Sequence, residues 1–382
     1  MVKNDKDYAV ILDLSSENAV GVVRSLALEK IPVAGFHIEG KYPHAFYSKN
    51  LDIKKILKDK DSFIEHLVKF GESQNNKGII FCTSDTYLAI AQEFSEVLSK
   101  YFIVPNSRTE DVRNIIDKRN ILSYAKKSGF EVPIHSALSD EAVSNFDFPV
   151  ILKPTHSIGR SKSDMFVLNG KKEIKEKRNY LLDKYGDMEV EQFIPGSFDN
   201  QIEVHFYKSN SGKTYIGGML RYGVNYKEDG LVTLLSSVDK SDWFEDLLEP
   251  TENFSNLIDF NGAVDLNLKI SSEDNKKYFY EANLRTSANL FLDTLFGLNL
   301  PAIMYLDQNN KKYDHLLNKP YQLNKFWVSD RLIDVSLEQG LVTKEEVEFM
   351  LNNGVRSIYD SADSSMFTEA EKSGNLLLKI KK

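Results

Sequence analysis

The sequence predicts a parallel α/β domain at the N-terminus, then α+β lobes, then a short helical tail. Three observations predict this order. Apolar runs alternate with amphipathic stretches up to about Lys100, turn-rich segments join apolar runs in pairs between Ile202 and Glu281, and helical spacing returns after Pro320.

In the first region, Tyr8–Asp13 reads as a buried strand, Asn18–Glu29 as an amphipathic crossover helix and Ile31–Phe36 as a second strand, which together make the βαβ unit of a parallel sheet. Gly78–Cys82 is a further strand, with Thr83-Ser84-Asp85 as helix-capping residues before a helix from Thr86 to Lys100. No Gly-x-Gly-x-x-Gly follows the first strand, which weakens a dinucleotide reading of this sheet. Arg108–Gly129 has helical spacing, and Gly129–Pro133 marks a boundary. Strands follow at Phe148–Pro154, Met188–Gly196, Ile202–Tyr207, Thr214–Gly218, Gly262–Leu268 and Lys277–Glu281. Ser209–Gly212 and Ser271–Asn275 are turn-rich, so the strands they connect read as antiparallel hairpins. Lys344–Leu351 is a helix of the tail.

Composition limits the function. The 382 residues are 42% hydrophobic and 11% aromatic, enough for a sizeable core and for two to three domains at roughly 150 residues each. With 48 basic against 56 acidic side chains the formal charge is −8, which excludes a general nucleic-acid binder because that role needs a basic face. The single cysteine, Cys82, provides neither an internal disulfide nor a cysteine zinc site, and suits a reducing interior. The charged start, Met1–Asp7, lacks the apolar region of a signal peptide, and no run approaches about 18 apolar residues; the expected compartment is the cytoplasm.

Several residues can carry chemistry. Lys153 ends an apolar strand, where an ammonium is costly to bury unless it meets an anion; taken alone it also reads as a lysine snorkelling to solvent. The following segment, Thr155–Ser163, is polar, basic and contains Gly159, so it could offer N–H groups and cations to phosphate, or be a plain connector. No Walker A loop is present. Glu191-Gln192-Phe193-Ile194-Pro195-Gly196 could be a hinge that reads an adenine edge, although on this segment alone a strand stopped by a Pro-Gly turn is preferred. The strongest constellation is Asp265 with Glu281-Ala282-Asn283-Leu284-Arg285. Strand alternation puts Glu281, Asn283 and Arg285 on one side, and a hairpin return brings Asp265 beside them. Two carboxylates and an amide oxygen are hard ligands suited to Mg²⁺, and Arg285 adds a fork for phosphate or carboxylate. The competing reading is an exposed polar strand face with one salt bridge.

Other enzyme classes fit poorly. The seven histidines, among them His37, His44, His135, His156, His205 and His315, lack His-Glu-x-x-His and close pairing. No Gly-x-Ser-x-Gly elbow occurs, and Cys82 reads as a buried strand residue with no activating partner nearby in the sequence.

Taken in order, Lys118, Phe148–Pro154, Glu191–Gly196, Asp265 and Glu281–Arg285 resemble the ATP-grasp superfamily. Val20–Val33, Thr83-Ser84-Asp85 and Asp117-Lys118 ahead of Gly129–Pro133 are similar to its carboxylate–amine ligase branch, that of the D-aspartate ligases. The matches touch most of residues 8–290, and Ile358–Asp363 is weakly similar to the end of that branch.

The resemblance implies an ATP-grasp fold with a pre-ATP-grasp domain over 1–110, a central lobe over 111–190, a metal-bearing lobe over 191–318 and a helical tail over 319–382. It implies ATP and Mg²⁺ as cofactors, with Mn²⁺ as a substitute. Lys118 and Lys153 would hold the nucleotide phosphates, with Ser157, Gly159 and Arg160 in the phosphate loop. That loop has fewer glycines than in many relatives, so Arg160 or Lys162 would replace part of its backbone cradle. Glu191, Gln192, Phe193 and Ile194 would line the adenine, and Asp265, Glu281 and Asn283 the metal. Arg285 would face the transferred phosphoryl group or acyl phosphate, and Arg221 a phosphate or the acceptor's carboxylate. The implied reaction joins a small carboxylate and an amine, such as an amino acid or peptidoglycan precursor, through an acyl phosphate. Closure of Thr155–Asp164 and Gly223–Thr233 would exclude water. A nucleotide-binding protein without catalysis, a carboxylate–thiol ligase and a kinase-like phosphotransferase stay open as alternatives.

Overall fold

The strand Ala9–Leu12 (β1) is buried at all of its positions, and it lies at the middle of a parallel sheet. In the computed structural model, the described residues are 6–139, 143, 145–155, 165–197, 200–225, 232–237, 240–317 and 326–376; for 118, 119, 219–225, 232–237 and 240–244 the description covers the backbone. Around β1 stand Val33–Ile38 (β2), Ile53–Leu57 (β3), Gly78–Cys82 (β4) and Phe102–Ile103 (β5), in the order β3-β2-β1-β4-β5, with every pairing parallel. The order reverses between β1 and β4, where an open sheet forms a crevice beyond its strand ends. Thr83 closes that point by donating from Oγ1 to the carbonyl of Asp13 at 2.7 Å. Asp13 has φ of 75°, and its carboxylate accepts from the N–H and Oγ of Ser15, a local turn that holds the left-handed backbone.

The crossover helix, Glu17–Leu28, buries Ala19, Val20, Val22, Val23 and Leu26 completely because it is covered on two sides. Beneath it lies the parallel sheet, and above it Gly21 meets Ala288 and Phe291, where an added Cβ would come within 3.4 Å of the Ala288 carbonyl. The expected helix over Thr86–Lys100 is split into Asp85–Glu93 and Ser95–Leu98, and that over Arg108–Gly129 into Val112–Ile115 and Lys118–Lys127.

The central lobe is a four-stranded antiparallel sheet of His135–Ala137 (β6), Val150–Pro154 (β7), Phe166–Leu168 (β8) and Met188–Gln192 (β9), in the order β6-β9-β7-β8. Its own core joins Val150, Leu152 and Val190 to Ile174 and Leu181 of the helix Lys171–Tyr185.

The third sheet contains Gln201–Lys208 (β10), Thr214–Asn225 (β11), Val232–Ser237 (β12), Ala263–Ile270 (β13), Lys277–Asn283 (β14), Phe326–Val328 (β15) and Val355–Arg356 (β16). Its order is β14-β13-β10-β11-β12-β15-β16, antiparallel except for β15 with β16. Both expected hairpins, β10–β11 and β13–β14, are present. One face presents Ile202, Val204, Phe206, Val264, Leu266, Leu268 and Phe279 to Phe254 of the helix Lys240–Ile258, in the same apolar core as Ile121, Leu122 and Phe130. The tail has the expected helix over Lys344–Asn353 and further helices at Ile333–Glu338 and Ser365–Lys372, and it also adds β15 and β16 to this sheet. Among the described residues no helix is long and apolar enough to cross a membrane.

Candidate functional site

Strand alternation that buries Ile202, Val204, Leu266 and Leu268 turns the residues between them to the opposite face. There the register sets Glu203 of β10 opposite Asn267 of β13, and Asn267 opposite Glu281 of β14. In the adjacent row His205 opposes Asp265, and Asp265 opposes Asn283. Two rows of polar residues therefore cross three neighbouring strands. Glu281 joins its row because β14 carries a bulge: Asn267 pairs with Glu281 but Leu268 with Phe279, leaving Tyr280 as the extra residue. Without that bulge Phe279 and Glu281 would share a face.

Asp265, only 3% exposed, accepts from Nδ2 of Asn267 at 3.0 Å and from Nδ2 of Asn283 at 2.9 Å. Burial, and then the nearby Glu203 carboxylate, push its carboxyl well above the usual range. An acidic oxygen so poorly compensated, beside the Asn283 amide and the half-buried Glu281, is a donor set that a divalent cation fits. Glu281 lies opposite Asn267 in the register and acts electrostatically on Arg285.

Arg285 follows β14 and ties the site to the first domain. Its Nη1 lies 3.7 Å from Oδ2 of Asp265, and its Nε lies 3.4 Å from Oδ1 of Asp85 at the crevice of the parallel sheet. Asn18 strengthens the same junction, donating to the carbonyls of Thr83 at 2.9 Å and Thr286 at 3.0 Å.

In the central lobe Lys153 donates to Oε2 of Glu191 across β7 and β9, and both residues are 4% exposed. The strand-end lysine thus meets an anion, as its burial requires. Beyond Glu191 the chain is pinned on both sides. Gln192 donates its N–H to the carbonyl of Ile134 at 2.8 Å, and the carbonyl of Pro195 accepts from Ser272 at 3.0 Å. Phe193 carries the Lys269 ammonium 5.0 Å from its ring centroid, Ile194 is buried, and Gly196 has φ of 135°, a value that only glycine adopts readily.

Other expected site residues lie apart or beyond view. Lys118 begins its helix with its side chain outside the described atoms, and Ser157, Gly159, Arg160 and Lys162 lie outside the described residues, as does most of each proposed lid. Arg221 is on β11, opposite Ile202 and Ser236 in the register and not opposite any residue of the two polar rows.

Glu203 and His205, expected only as part of the strand Ile202–Tyr207, also stand at the site. Glu203 accepts from Nδ2 of Asn289, and His205 has Nδ1 2.5 Å from Oδ2 of Asp293 and Nε2 2.7 Å from Oγ of Ser287. One oxygen or nitrogen of each of Glu203, His205 and Asp265 lies within 4.8 Å of the others. Burial alone would raise Glu203, but His205 overrides it and holds the carboxyl below its usual range. Burial alone would lower His205, yet Asp293 and Glu203 keep it well above its usual value. The signal in the sequence was the alternation Glu203-Val204-His205-Phe206, the same pattern as Asp265-Leu266-Asn267-Leu268.

The chain matches no protein-family model. It is 24% identical over 346 residues to a D-aspartate ligase of Enterococcus faecium (strain Aus0004), a match covering 84% of this chain and 79% of that protein. The fold is similar to N5-carboxyaminoimidazole synthetase from Staphylococcus aureus complexed with ADP, with a TM-score of 0.67 at 13% identity, over 89% of this chain and 88% of that one. It is also similar to the biotin carboxylase domain of Hydrogenobacter thermophilus 2-oxoglutarate carboxylase in complex with MgADP, with a TM-score of 0.64 at 14% identity, over 85% and 74% of the two chains. The chain thus has the ATP-grasp fold and is a homologue of D-aspartate ligase.

Proposed function

We propose that the protein is an ATP-dependent carboxylate–amine ligase acting on small molecules, an amino acid among them. The observation that carries this reading is the convergence of Asp265, Asn283 and Glu281 on one sheet face, with Arg285 3.7 Å from Asp265. Similarity to a D-aspartate ligase supports an amino acid as one substrate, and similarity to structures with ADP and MgADP supports the nucleotide and its metal.

In the first step a carboxylate oxygen of the donor attacks the γ-phosphorus of ATP and ADP leaves. The product is an acyl phosphate. The amine then attacks the acyl carbon, the carbon–oxygen bond to phosphate breaks, and an amide and inorganic phosphate are released as the attacking nitrogen loses a proton. A carboxylate is already nucleophilic, so catalysis is chiefly alignment and charge neutralisation.

The chain's own groups suit those tasks. Asp265, Glu281 and Asn283 would hold Mg²⁺, or Mn²⁺ in its place, which neutralises phosphate oxygens when bound. Lys153 reaches the nucleotide from β7 and Lys118 from its helix, with Ser157, Gly159 and Arg160 on the phosphate loop and Glu191–Ile194 along the adenine. Arg285, between Asp265 and Asp85, faces the transferred phosphoryl group, where its planar fork matches phosphate geometry. Arg221 is assigned to the acceptor's carboxylate.

The test is ADP release in the presence of pooled D- and L-amino acids and small carboxylates, with the product identified by mass. Amine-dependent ADP release with an amide product supports the ligase. ATP binding with no such release across broad pools would support a nucleotide-binding protein without catalysis.

A further inference from the structure

Lys269 is a cation that the reaction scheme leaves unused. On β13 the core residues Val264, Leu266, Leu268 and Ile270 alternate with Asp265, Asn267 and Lys269, so Lys269 stands on the same face as the metal-binding row. It follows Asp265 by about 13 Å along the strand, at roughly 3.3 Å per residue. Opposite it in the register is Gln201 of β10, which shares that face with Glu203 and His205 because Ile202, Val204 and Phe206 turn to the core. Lys269 is half-buried, and its ammonium lies 5.0 Å from the ring centroid of Phe193 on the hinge segment. Burial lowers its pKa, and among the described residues no acid counters that effect. A ring face attracts a cation but supplies no lone pair, so ammonium donors remain for the oxygen acceptors of a ligand.

The position on the face decides which part of a ligand arrives there. A nucleotide with its base along Glu191–Ile194 and its phosphates at Asp265 crosses from the hinge to the metal row. Its sugar then lies at the hinge end, where Lys269 and Gln201 stand. These two side chains are complementary to a vicinal diol. The ammonium donates to hydroxyl oxygens and accepts nothing, whereas the Gln201 amide carbonyl accepts a hydroxyl proton. A deoxy sugar takes away one of those oxygens and leaves a partly desolvated ammonium short of an acceptor, which is the costly case.

We propose that Lys269, held over Phe193 and opposite Gln201, forms with that glutamine a subsite for the ribose diol of the nucleotide, and that it makes the protein select ribonucleotides over 2′-deoxyribonucleotides. This rests on the nucleotide reading of the site given above and adds two specificity-determining residues to it.

The test is calorimetric titration of the full chain with ADP and with 2′-deoxyADP, each in the presence of Mg²⁺. Wild type should bind ADP about tenfold more tightly than 2′-deoxyADP, the range of a hydrogen bond to a charged group. Lys269→Met keeps an apolar stem over Phe193 and should bind both nucleotides alike, at the affinity wild type has for 2′-deoxyADP. Gln201→Leu should lose the preference in the same way, and the wild-type comparison itself needs no variant to fold. Wild type that binds the two nucleotides equally overturns the proposal. So does a folded variant of either residue that keeps the preference. Equal weakening of ADP and 2′-deoxyADP in Lys269→Met overturns it too, because that is the mark of a cation acting on the phosphates. Wild type that binds neither nucleotide would instead count against the nucleotide reading itself.

Discussion

Lys153 and Glu191 form a buried ion pair across β7 and β9, and Glu189, opposite Lys153 in the same register, places a second buried carboxylate beside them. Removing the ammonium while both acids stay buried should be expensive. Lys153→Met is expected to destabilise the central lobe by about 3–5 kcal/mol, whereas Lys153→Met with Glu191→Leu should recover much of that loss. Urea denaturation of the single variants and the double variant measures it, and additive losses would argue against a coupled pair.

Asp265 separates stability from function. Its carboxyl is pushed up by burial and by Glu203, so Asp265→Asn removes a charge the fold tolerates poorly while keeping the shape. The thermal midpoint should hold or rise, while turnover falls by about a hundredfold or more as metal neutralisation of the phosphates is lost. Glu281→Gln should give the same loss of turnover. Full activity in both variants would show that the metal is held elsewhere.

His44 predicts an acid limb in the stability profile. It is 4% exposed, and burial, with Arg331 adding to it, lowers its pKa to about 4 from the usual 6.5. A depressed histidine is neutral in the folded state and charged once unfolded, so its contribution is complete above about pH 6.5 and is lost as pH falls toward 4. The loss should be of the order of 3 kcal/mol, from about 1.4 kcal/mol per pKa unit. Thermal midpoints of wild type and His44→Gln across that window check this; the variant should show the shallower slope.

Arg24 joins the first domain to the tail. Its Nη1 donates to the carbonyls of Arg356 and Ser357 at 2.7 and 3.1 Å, and its Nη2 to that of Ile358 at 2.7 Å. The Asp330 carboxylate accepts the N–H groups of Ile358 and Tyr359, both at 2.8 Å, so the same segment is held from two sides. Arg24→Met should leave these buried carbonyls without donors, cost about 2–4 kcal/mol and speed proteolysis within residues 355–376. Unchanged cleavage would show that the tail docks without Arg24.

Local rules make part of the fold and of the site legible in the sequence. Period-two alternation located β10, β13 and β14, and the order of Lys153, Glu191, Asp265 and Glu281-x-Asn283 marked the site. Alternation along one strand says nothing of the strand beside it, so the row joining Glu203, Asn267 and Glu281 became visible only with the register. The bulge at Tyr280 likewise depends on pairing, and no residue type announces it. Arg24 stood in a stretch similar to the ligase branch, but its partners are 332 to 334 residues away, beyond any local pattern. The tail looked helical because β15 and β16 are too short to show a period.

A carboxylate that attacks ATP to form an acyl phosphate leaves an isotopic trace in the products. Once the substrate pair is identified, the donor acid is labelled with oxygen-18 in its carboxyl group and the released phosphate is examined by mass spectrometry. Attack by the carboxylate carries one of its oxygens into phosphate, so the phosphate should gain a single oxygen-18 for each amide formed. Unlabelled phosphate accompanying labelled amide would show that the carboxylate does not attack phosphorus.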